Sequence, residues 1–340
     1  MWRKPILIIN NSSGRNILPG LSGLWLSCKV TEQAGDESDE AEIICVGPPS
    51  KFGLPGRGEK FSILGGWEDE GPVMQGEFSV QKIVCSGDPA PEEGDRITIV
   101  LRAADYVDKL KAHASKHYDD KTYGDIIEDV AKQAGLEAQV DSEVAKIKVP
   151  YRLRWNQSHI DFATELSEEV GAICKPAGGK LIAVKRGAGK SASGKNLTPI
   201  EIMRRKGFAY EIEIEPRPEV GDVAASWHDE KAGKRKVAKH KTGRKGPLHA
   251  MPHPFRSEDE AKKAAESEAY EMGNATGSGR FDSPGLPHAH AEAPVNVSGF
   301  GKPIDGRWKA ESVEKVWESA GGFYTTVHVK AGDDEKGKNG

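Results

Sequence analysis

Residues 1–104 hold a series of short apolar runs, and this pattern restricts the fold more than any other feature of the chain. Each run is followed by glycine, proline or acidic residues that favour a turn. Short strands in regular succession are typical of an antiparallel barrel or sandwich. We therefore predict an N-terminal β-barrel-like domain over residues 1–104. The runs are Pro5–Ile9, Gly23–Val30, Glu42–Val46, Lys60–Leu64, Phe78–Val84 and Arg96–Leu101.

Two segments of this region have an alternative interpretation. The N-terminus, Met1–Asn10, resembles a signal peptide in its charge and apolar run, but Asn11 and Ser12 follow before an adequate apolar core could form, so we expect a first β-strand. The acidic segment Gly35–Glu42 predicts an exposed hairpin tip rather than a site, because no histidine or cysteine accompanies its carboxylates.

Residues 105–195 change to helical periodicity. Apolar positions recur between Tyr123 and Ala134, with Thr122 and Asp125 at the start and Gly135 at the end. A strand is predicted at Ala145–Tyr151. These elements indicate a small α/β module between β-rich segments.

A second helix and a hairpin complete this module. Ser158 and Asp161 form a capping-box pattern, and Gly171 can end the helix in a left-handed conformation. A glycine turn and the strand Lys180–Lys185 then predict a β-hairpin. The apolar stripe of this helix is Phe162, Leu166 and Val170.

The segment Gly187-Ala-Gly-Lys190-Ser191 resembles a phosphate-binding loop. Such a loop needs a glycine at the position of Val184 and an amphipathic helix after Ser191, and the sequence has neither. A strand that leads into a Gly/Ser loop is the preferred interpretation, so we predict no nucleotide site and no cofactor.

Residues 196–333 return to strands and predict a second β-barrel-like domain with one helix. Ser257 and Glu260 begin that helix, and alanines through Ala261–Gly273 allow it to lie close against a sheet. Residues 334–340 are charged and glycine-rich and predict a disordered tail. The predicted strands are Thr198–Met203, Gly207–Ile214, Val220–Trp227, Val295–Phe300, Trp308–Trp317 and Phe323–Val329. The expected fold class is therefore α+β and mainly β.

Composition excludes several classes of function. A net charge of −4 gives no global attraction to polyanions or membranes, and no apolar run is long enough to span a bilayer. The four cysteines stand far apart and form no CxxC pair, which favours reduced and mostly buried thiols over zinc ligands or disulfides. They are Cys28, Cys45, Cys85 and Cys174.

The histidines are candidate metal ligands that we interpret as surface residues. His113 and His117 have helical i,i+4 spacing, but no carboxylate or cysteine accompanies them at ligand spacing. Four further histidines are expected in proline-rich loops: His249, His253, His288 and His290.

One run of basic residues is a candidate partner surface. It could bind a phosphate backbone, but it lacks the interleaved aromatic residues that stack on bases. An exposed hairpin that contacts an acidic protein surface is preferred. The residues are Lys231, Lys234, Arg235, Lys236, Lys239, Lys241, Arg244 and Lys245.

With these elements assigned, the chain resembles the phage late control protein D family, the baseplate hub proteins of contractile tails and tail-like bacteriocins. The similarity covers roughly Asp105–Lys330 and rests on the order of several short motifs. They are Gln157–Phe162 with Leu166 and Gly171, Gly179–Leu181, Ser191–Gly194, Tyr210, Val223–Trp227, the helix Glu260–Ala269, Gly299–Gly301 and Gly306–Trp308.

The resemblance implies a homotrimeric ring of two β-barrel domains per chain, as in VgrG-type hubs, which joins a sixfold tail tube to a threefold spike. It implies contacts with the tube, spike, tape measure and other baseplate proteins, and a lumen through which DNA passes. The expected location is the tail baseplate of a particle assembled in the host cytoplasm. Two features depart from the family: Trp317 replaces a frequent histidine, and the basic run and Phe281–Pro294 enlarge the spacer.

Two other functions stay open at this point. A tail-associated peptidoglycan hydrolase needs two carboxylates that flank a bond, and the many acidic residues do not exclude such a pair. However, none lies in a recognisable catalytic motif, so we predict a chain without enzymatic activity. A secreted β-domain adhesin is disfavoured because no signal peptide is evident.

Overall fold

A computed structural model describes most of the chain. The described residues are 3–35, 37–87, 94–103, 109–177, 180–185, 196–214, 220–229, 232–242, 245–274 and 277–331. Their helices are α1 (Tyr123–Gln133), α2 (Ser142–Ala145), α3 (His159–Glu169) and α4 (Glu258–Asn274). Two short 3-10 helices lie at Leu18–Leu21 and Pro49–Lys51.

Strands dominate these residues. In chain order they are β1 (Pro5–Asn11), β2 (Trp25–Gln33), β3 (Glu40–Val46), β4 (Lys60–Trp67), β5 (Gly71–Gly87), β6 (Asp95–Arg102), β7 (His113–Thr122), β8 (Glu137–Val140), β9 (Lys148–Ser158), β10 (Ala172–Ala177), β11 (Lys180–Lys185), β12 (Ile200–Met203), β13 (Tyr210–Ile214), β14 (Asp222–Asp229), β15 (Lys234–Lys241), β16 (Leu248–Ala250), β17 (Gly277–Pro284), β18 (Pro294–Ser298), β19 (Gly306–Glu318) and β20 (Phe323–Ala331). The predicted fold class, α+β and mainly β, is confirmed.

One sheet of twelve strands connects the two ends of the chain. Its order is β1-β4-β5-β6-β3-β2-β19-β20-β17-β13, and β18 joins β19 to β12. The two halves meet where Ser27–Gln33 of β2 pairs antiparallel with Ser312–Glu318 of β19. The N-terminal and C-terminal β-units are therefore continuous through hydrogen bonds.

The N-terminal core contains side chains from the far end of the chain. Trp317 and Phe323 stack at 4.4 Å between ring centroids and are buried among N-terminal residues such as Ile63. Gly65 of β4 leaves room for the indole, since a Cβ there would lie 2.4 Å from a Trp317 ring carbon. Trp317 is thus part of the joint between the two β-units.

The middle module has a separate core under α1 and α3. Both predicted helix starts are confirmed: Thr122 and Asp125 form a reciprocal capping box, and Ser158 accepts a hydrogen bond from the Asp161 amide. The strand predicted at Ala145–Tyr151 is displaced, because Asp141 caps the short helix α2 and β9 then begins at Lys148.

A further core lies under α4, apart from the second β-unit. The sheet β15-β14-β16 packs against this helix. Ala261, Ala265 and Ala269 face Val223 and Trp227, and their small side chains allow the predicted close approach of helix and sheet. Within the described residues, no helix is both long and apolar enough to cross a membrane.

Candidate interaction surface

The basic run folds into an edge strand. Five of its members lie in β15, which stands at one end of the three-stranded sheet: Lys234, Arg235, Lys236, Lys239 and Lys241. Lys245 follows in the next connection and is exposed. Lys231 and Arg244 lie outside the described residues. The predicted exposed hairpin is formed by β14 and β15, paired from Asp222 opposite Lys241 to Asp229 opposite Lys234.

On the face of β15 toward α4, part of the positive charge is neutralised by an acidic residue of β14. Ala238 is buried beneath the helix, and two residues earlier Lys236 lies 2.5 Å from Asp229. The hydrogen bond with Asp229 raises the pKa of Lys236. This lysine is therefore engaged with its own hairpin as well as exposed to solvent.

The opposite face of this sheet combines apolar and basic side chains. Val237 and Leu248 are 54% and 51% exposed, and the small residues Ala224 and Ser226 of β14 lie between their strands. Arg235, Lys239 and Lys241 lie on the same face as Val237, since every second residue of a strand points to the same side of the sheet. This face therefore presents exposed apolar side chains on both strands that flank β14, together with basic side chains on β15.

Sequence reasoning missed Val237 and Leu248. The available signal was the period-two pattern of the run, where Val237 stands on the same face as Arg235 and Lys239. The aromatic residue of β14, Trp227, is buried under α4 and offers no stacking platform. This placement favours a protein partner over single-stranded nucleic acid.

A second exposed apolar feature lies on β9. Tyr151, Leu153 and Trp155 alternate along the strand and are 47%, 45% and 74% exposed. The intervening Arg152 and Arg154 point inward, over the ring of Phe162. This stripe was not predictable from the sequence, because Arg152 and Arg154 resemble ordinary surface residues until the position of α3 beneath them is known.

Charged groups fill the junction between the module and the two β-units. Lys175 Nζ donates to Gln33 O at 3.2 Å and lies 3.4 Å from Asp39 Oδ1. Asp39 belongs to the acidic segment that we expected to be a solvated tip, and this expectation is wrong for Asp39 because it contacts the module. Lys315 is 2% exposed and donates to Gln75 Oε1 at 2.7 Å. Burial lowers the pKa of Lys315 to about 8.

The histidines do not assemble into a site. His113 and His117 lie on the strand β7, where i,i+4 spacing separates them along the chain direction, so the helical interpretation is wrong. His249 lies 3.4 Å from Glu268, and His290 lies 3.0 Å from Glu32. No group of three or more metal-ligating side chains occurs in the part of the chain that the structure describes.

Two other expectations have different outcomes. The thiols of Cys28, Cys45 and Cys174 are buried, as predicted, whereas Cys85 is exposed. The phosphate-loop look-alike at Gly187–Ser191 lies outside the described residues, while the strand before it, β11, is confirmed.

The family follows from a match over most of the chain. A model of the phage tail baseplate hub (GPD) family matches residues 80–321. The chain belongs to this family. The resemblance predicted from the ordered motifs is confirmed, and the match includes the module, the basic strand and the joint at Trp317.

Two phage proteins are similar in sequence. A probable baseplate hub protein of Escherichia phage 186 is 29% identical over 245 residues, which cover 71% of this chain and 62% of that protein. A probable baseplate hub protein of Escherichia phage P2 is 31% identical over 213 residues, which cover 63% of this chain and 54% of the phage P2 protein. The chain thus matches less than two thirds of either relative.

A solved structure shares the fold. The 43 kDa tail protein of prophage MuSo2 from Shewanella oneidensis superposes with a TM-score of 0.67 at 14% identity, covering 97% of this chain and 99% of that one. The likeness in fold covers nearly the whole chain, whereas the family match covers residues 80–321.

Proposed function

We propose that this chain is a structural hub of a phage or phage-like tail baseplate. Three copies form a ring that joins the sixfold tail tube to the threefold spike. The observation that carries this proposal is the twelve-stranded sheet, in which two β-units of one chain are held in a fixed relation by the β2–β19 pairing. Three such chains present six β-units to the tube while keeping threefold symmetry toward the spike.

The packing at the joint supports a rigid coupling of the two units. Trp317 and Phe323 anchor the C-terminal strands in the N-terminal core, and the buried ammonium of Lys315 bridges Gln75 and the Pro287 carbonyl. A joint with fixed side chains and continuous hydrogen bonds resists bending. This property suits a ring that transmits force during tail contraction.

The partners in this proposal are other copies of the chain, the spike, the tail tube, the tape measure and further baseplate proteins. No membrane and no specific nucleic-acid sequence is a partner, and DNA passes through the ring. The working location is the tail baseplate of a virion or tail-like particle, assembled in the host cytoplasm. We assign the ring contacts to the units 1–104 and 196–333, with 105–195 as a peripheral module and 334–340 as a tail.

The basic strand serves assembly in this proposal. Its edge position, its exposed lysines and the apolar Val237 and Leu248 suit an acidic protein surface. Catalysis is not part of the proposed function. Purified chain is expected to give no lysis in a peptidoglycan zymogram, and a clear lysis zone that survives further purification would replace the structural hub with the hydrolase.

Native mass spectrometry of the chain expressed with its neighbouring spike and tube proteins tests the proposal. We expect trimers of the chain and a complex of three chains with one trimeric spike. Monomers that bind neither the spike nor the tube protein would overturn it. A spike-only mixture is the control for nonspecific association.

A further inference from the structure

Two open sheet edges of the chain carry opposite charge. β15 ends the three-stranded sheet and β13 ends the twelve-stranded sheet, and neither pairs with a further strand among the described residues. β15 begins Lys-Arg-Lys, whereas β13 alternates glutamate with apolar residues. An open edge presents unpaired N–H and C=O groups that can template pairing with another chain.

The direction of the free backbone groups on β13 follows from its pairing with β17. The Asp282 amide donates to the Ala209 carbonyl at 2.9 Å, so this opposed pair is hydrogen-bonded. Hydrogen-bonded and non-hydrogen-bonded pairs alternate along an antiparallel ladder. The residues that turn their N–H and C=O groups to the open edge are therefore Tyr210, Ile212 and Ile214.

The direction of the free backbone groups on β15 follows from its pairing with β14. The Thr242 amide donates to the Gly221 carbonyl at 3.1 Å, and the register with β14 places this pair one step beyond Lys241 and Asp222. The residues that turn their backbone groups away from β14 are Arg235, Val237, Lys239 and Lys241.

Side chains on β13 fit a basic partner strand. Glu211 and Glu213 project on one face, beside an open cleft of about 780 Å³ that Glu311 also lines. The Glu211 side chain is 78% exposed and lies 3.5 Å from Arg280. At the ends of the strand, Tyr210 and Ile214 are 39% and 48% exposed. The edge therefore offers two carboxylates and two apolar side chains to a neighbour.

We propose that β15 of one copy pairs antiparallel with β13 of the next copy, as the head-to-tail contact of the ring. This inference rests on the proposed function and names the surfaces that form it. A contact between two different surfaces, repeated by a rotation that closes, generates a ring. The edges also differ in charge, which disfavours β13–β13 and β15–β15 pairing.

The charges select one register. Outward backbone groups must face each other, so Val237 can lie opposite Tyr210. This choice places Lys236 opposite Glu211 and Lys234 opposite Glu213. Opposite charges in directly opposed positions stabilise a strand pair, and a shift by one residue would turn every side chain to the wrong face.

Charge reversal tests the contact. In Glu211→Lys/Glu213→Lys, we expect the apparent dissociation constant between subunits to rise at least about tenfold at 0.15 M salt, since two attractive pairs become repulsive. The matched control is Glu128→Lys/Glu168→Lys, which reverses two exposed carboxylates on α1 and α3 and should leave the constant unchanged. Adding Lys234→Glu/Lys236→Glu to the first variant exchanges the two charges and should restore assembly.

Cysteine cross-linking tests the register. With the exposed Cys85 changed to Ser, Glu211→Cys/Lys236→Cys should give a ladder of disulfide-linked chains under mild oxidation. Glu211→Cys/His240→Cys is the control, because His240 lies farther along β15 and should not cross-link efficiently.

The outcomes separate this inference from the proposed function. If the wild-type chain is trimeric but charge reversal and cross-linking have no effect, the contact is wrong and the hub proposal stands. If reversal at Lys234 and Lys236 removes binding to the spike or tube protein and leaves the trimer intact, β15 serves another partner and the inference is also wrong. Wild-type monomers that bind no neighbour would contradict the hub proposal itself.

Discussion

Gly65→Ala should weaken the joint between the two β-units. The new Cβ would lie 2.4 and 2.6 Å from carbons of the Trp317 indole, well inside the optimal carbon contact of about 3.5–4 Å. The indole cannot retreat easily, because Phe323 stacks on it at 4.4 Å. β4 is likewise held between β1 and β5. Overpacking of this kind costs about 1–3 kcal/mol, and we expect that loss in urea unfolding followed by tryptophan fluorescence.

Two further variants make the result specific. Gly53→Ala adds a methyl where nothing lies within 4 Å and should change the free energy of unfolding by less than about 0.5 kcal/mol. Trp317→Phe replaces the indole by a smaller phenyl ring. In that background Gly65→Ala should therefore lower the free energy of unfolding by less, with a coupling energy of about 1 kcal/mol or more between the two substitutions. Equal effects of the two glycine variants, together with zero coupling, would refute the packing of β19 against β4.

Three other perturbations have defined outcomes. Thr122→Ala removes one half of the α1 capping box and should lower the free energy of unfolding by about 1 kcal/mol, measured against Thr164→Ala on α3; equal effects would contradict the cap. Lys315 has a folded pKa of about 8 against an ordinary 10.5, so the unfolded chain binds more protons between these values. Stability should therefore rise with pH across that window by up to about 3 kcal/mol, and Lys315→Met should lose this slope in melting curves; an unchanged slope would exclude Lys315 as its source. Trp155→Ser should change stability by less than about 0.5 kcal/mol, whereas Trp317→Ala should cost about 3–5 kcal/mol, and similar costs would contradict their assigned burial.

Local signals in the sequence were sufficient for α1, α3, α4 and most strands, but not for the short helix α2. The Thr122 and Ser158 caps fix where α1 and α3 begin, because capping depends on residues only three positions apart. The short apolar runs likewise identify β1 to β6. Such features are encoded within one turn or one strand and need no knowledge of the rest of the chain.

Features that depend on distant residues were not predictable. The insertion of Trp317 beside Gly65 requires β19 to pair with β2, and nothing near either residue encodes that pairing. The same holds for Lys175, whose partner Asp39 was assigned to a solvated tip. The basic run was recognised by composition alone, while the exposed positions of Val237 and Leu248 became known only once the structure showed that their strands pair with the two edges of β14.

Electron microscopy of the purified chain assembled with its spike protein tests the central claim most directly. We expect class averages of a closed threefold ring whose rim shows six similar β-units around an open lumen. Twofold dimers, open filaments or isolated monomers on the spike would contradict it.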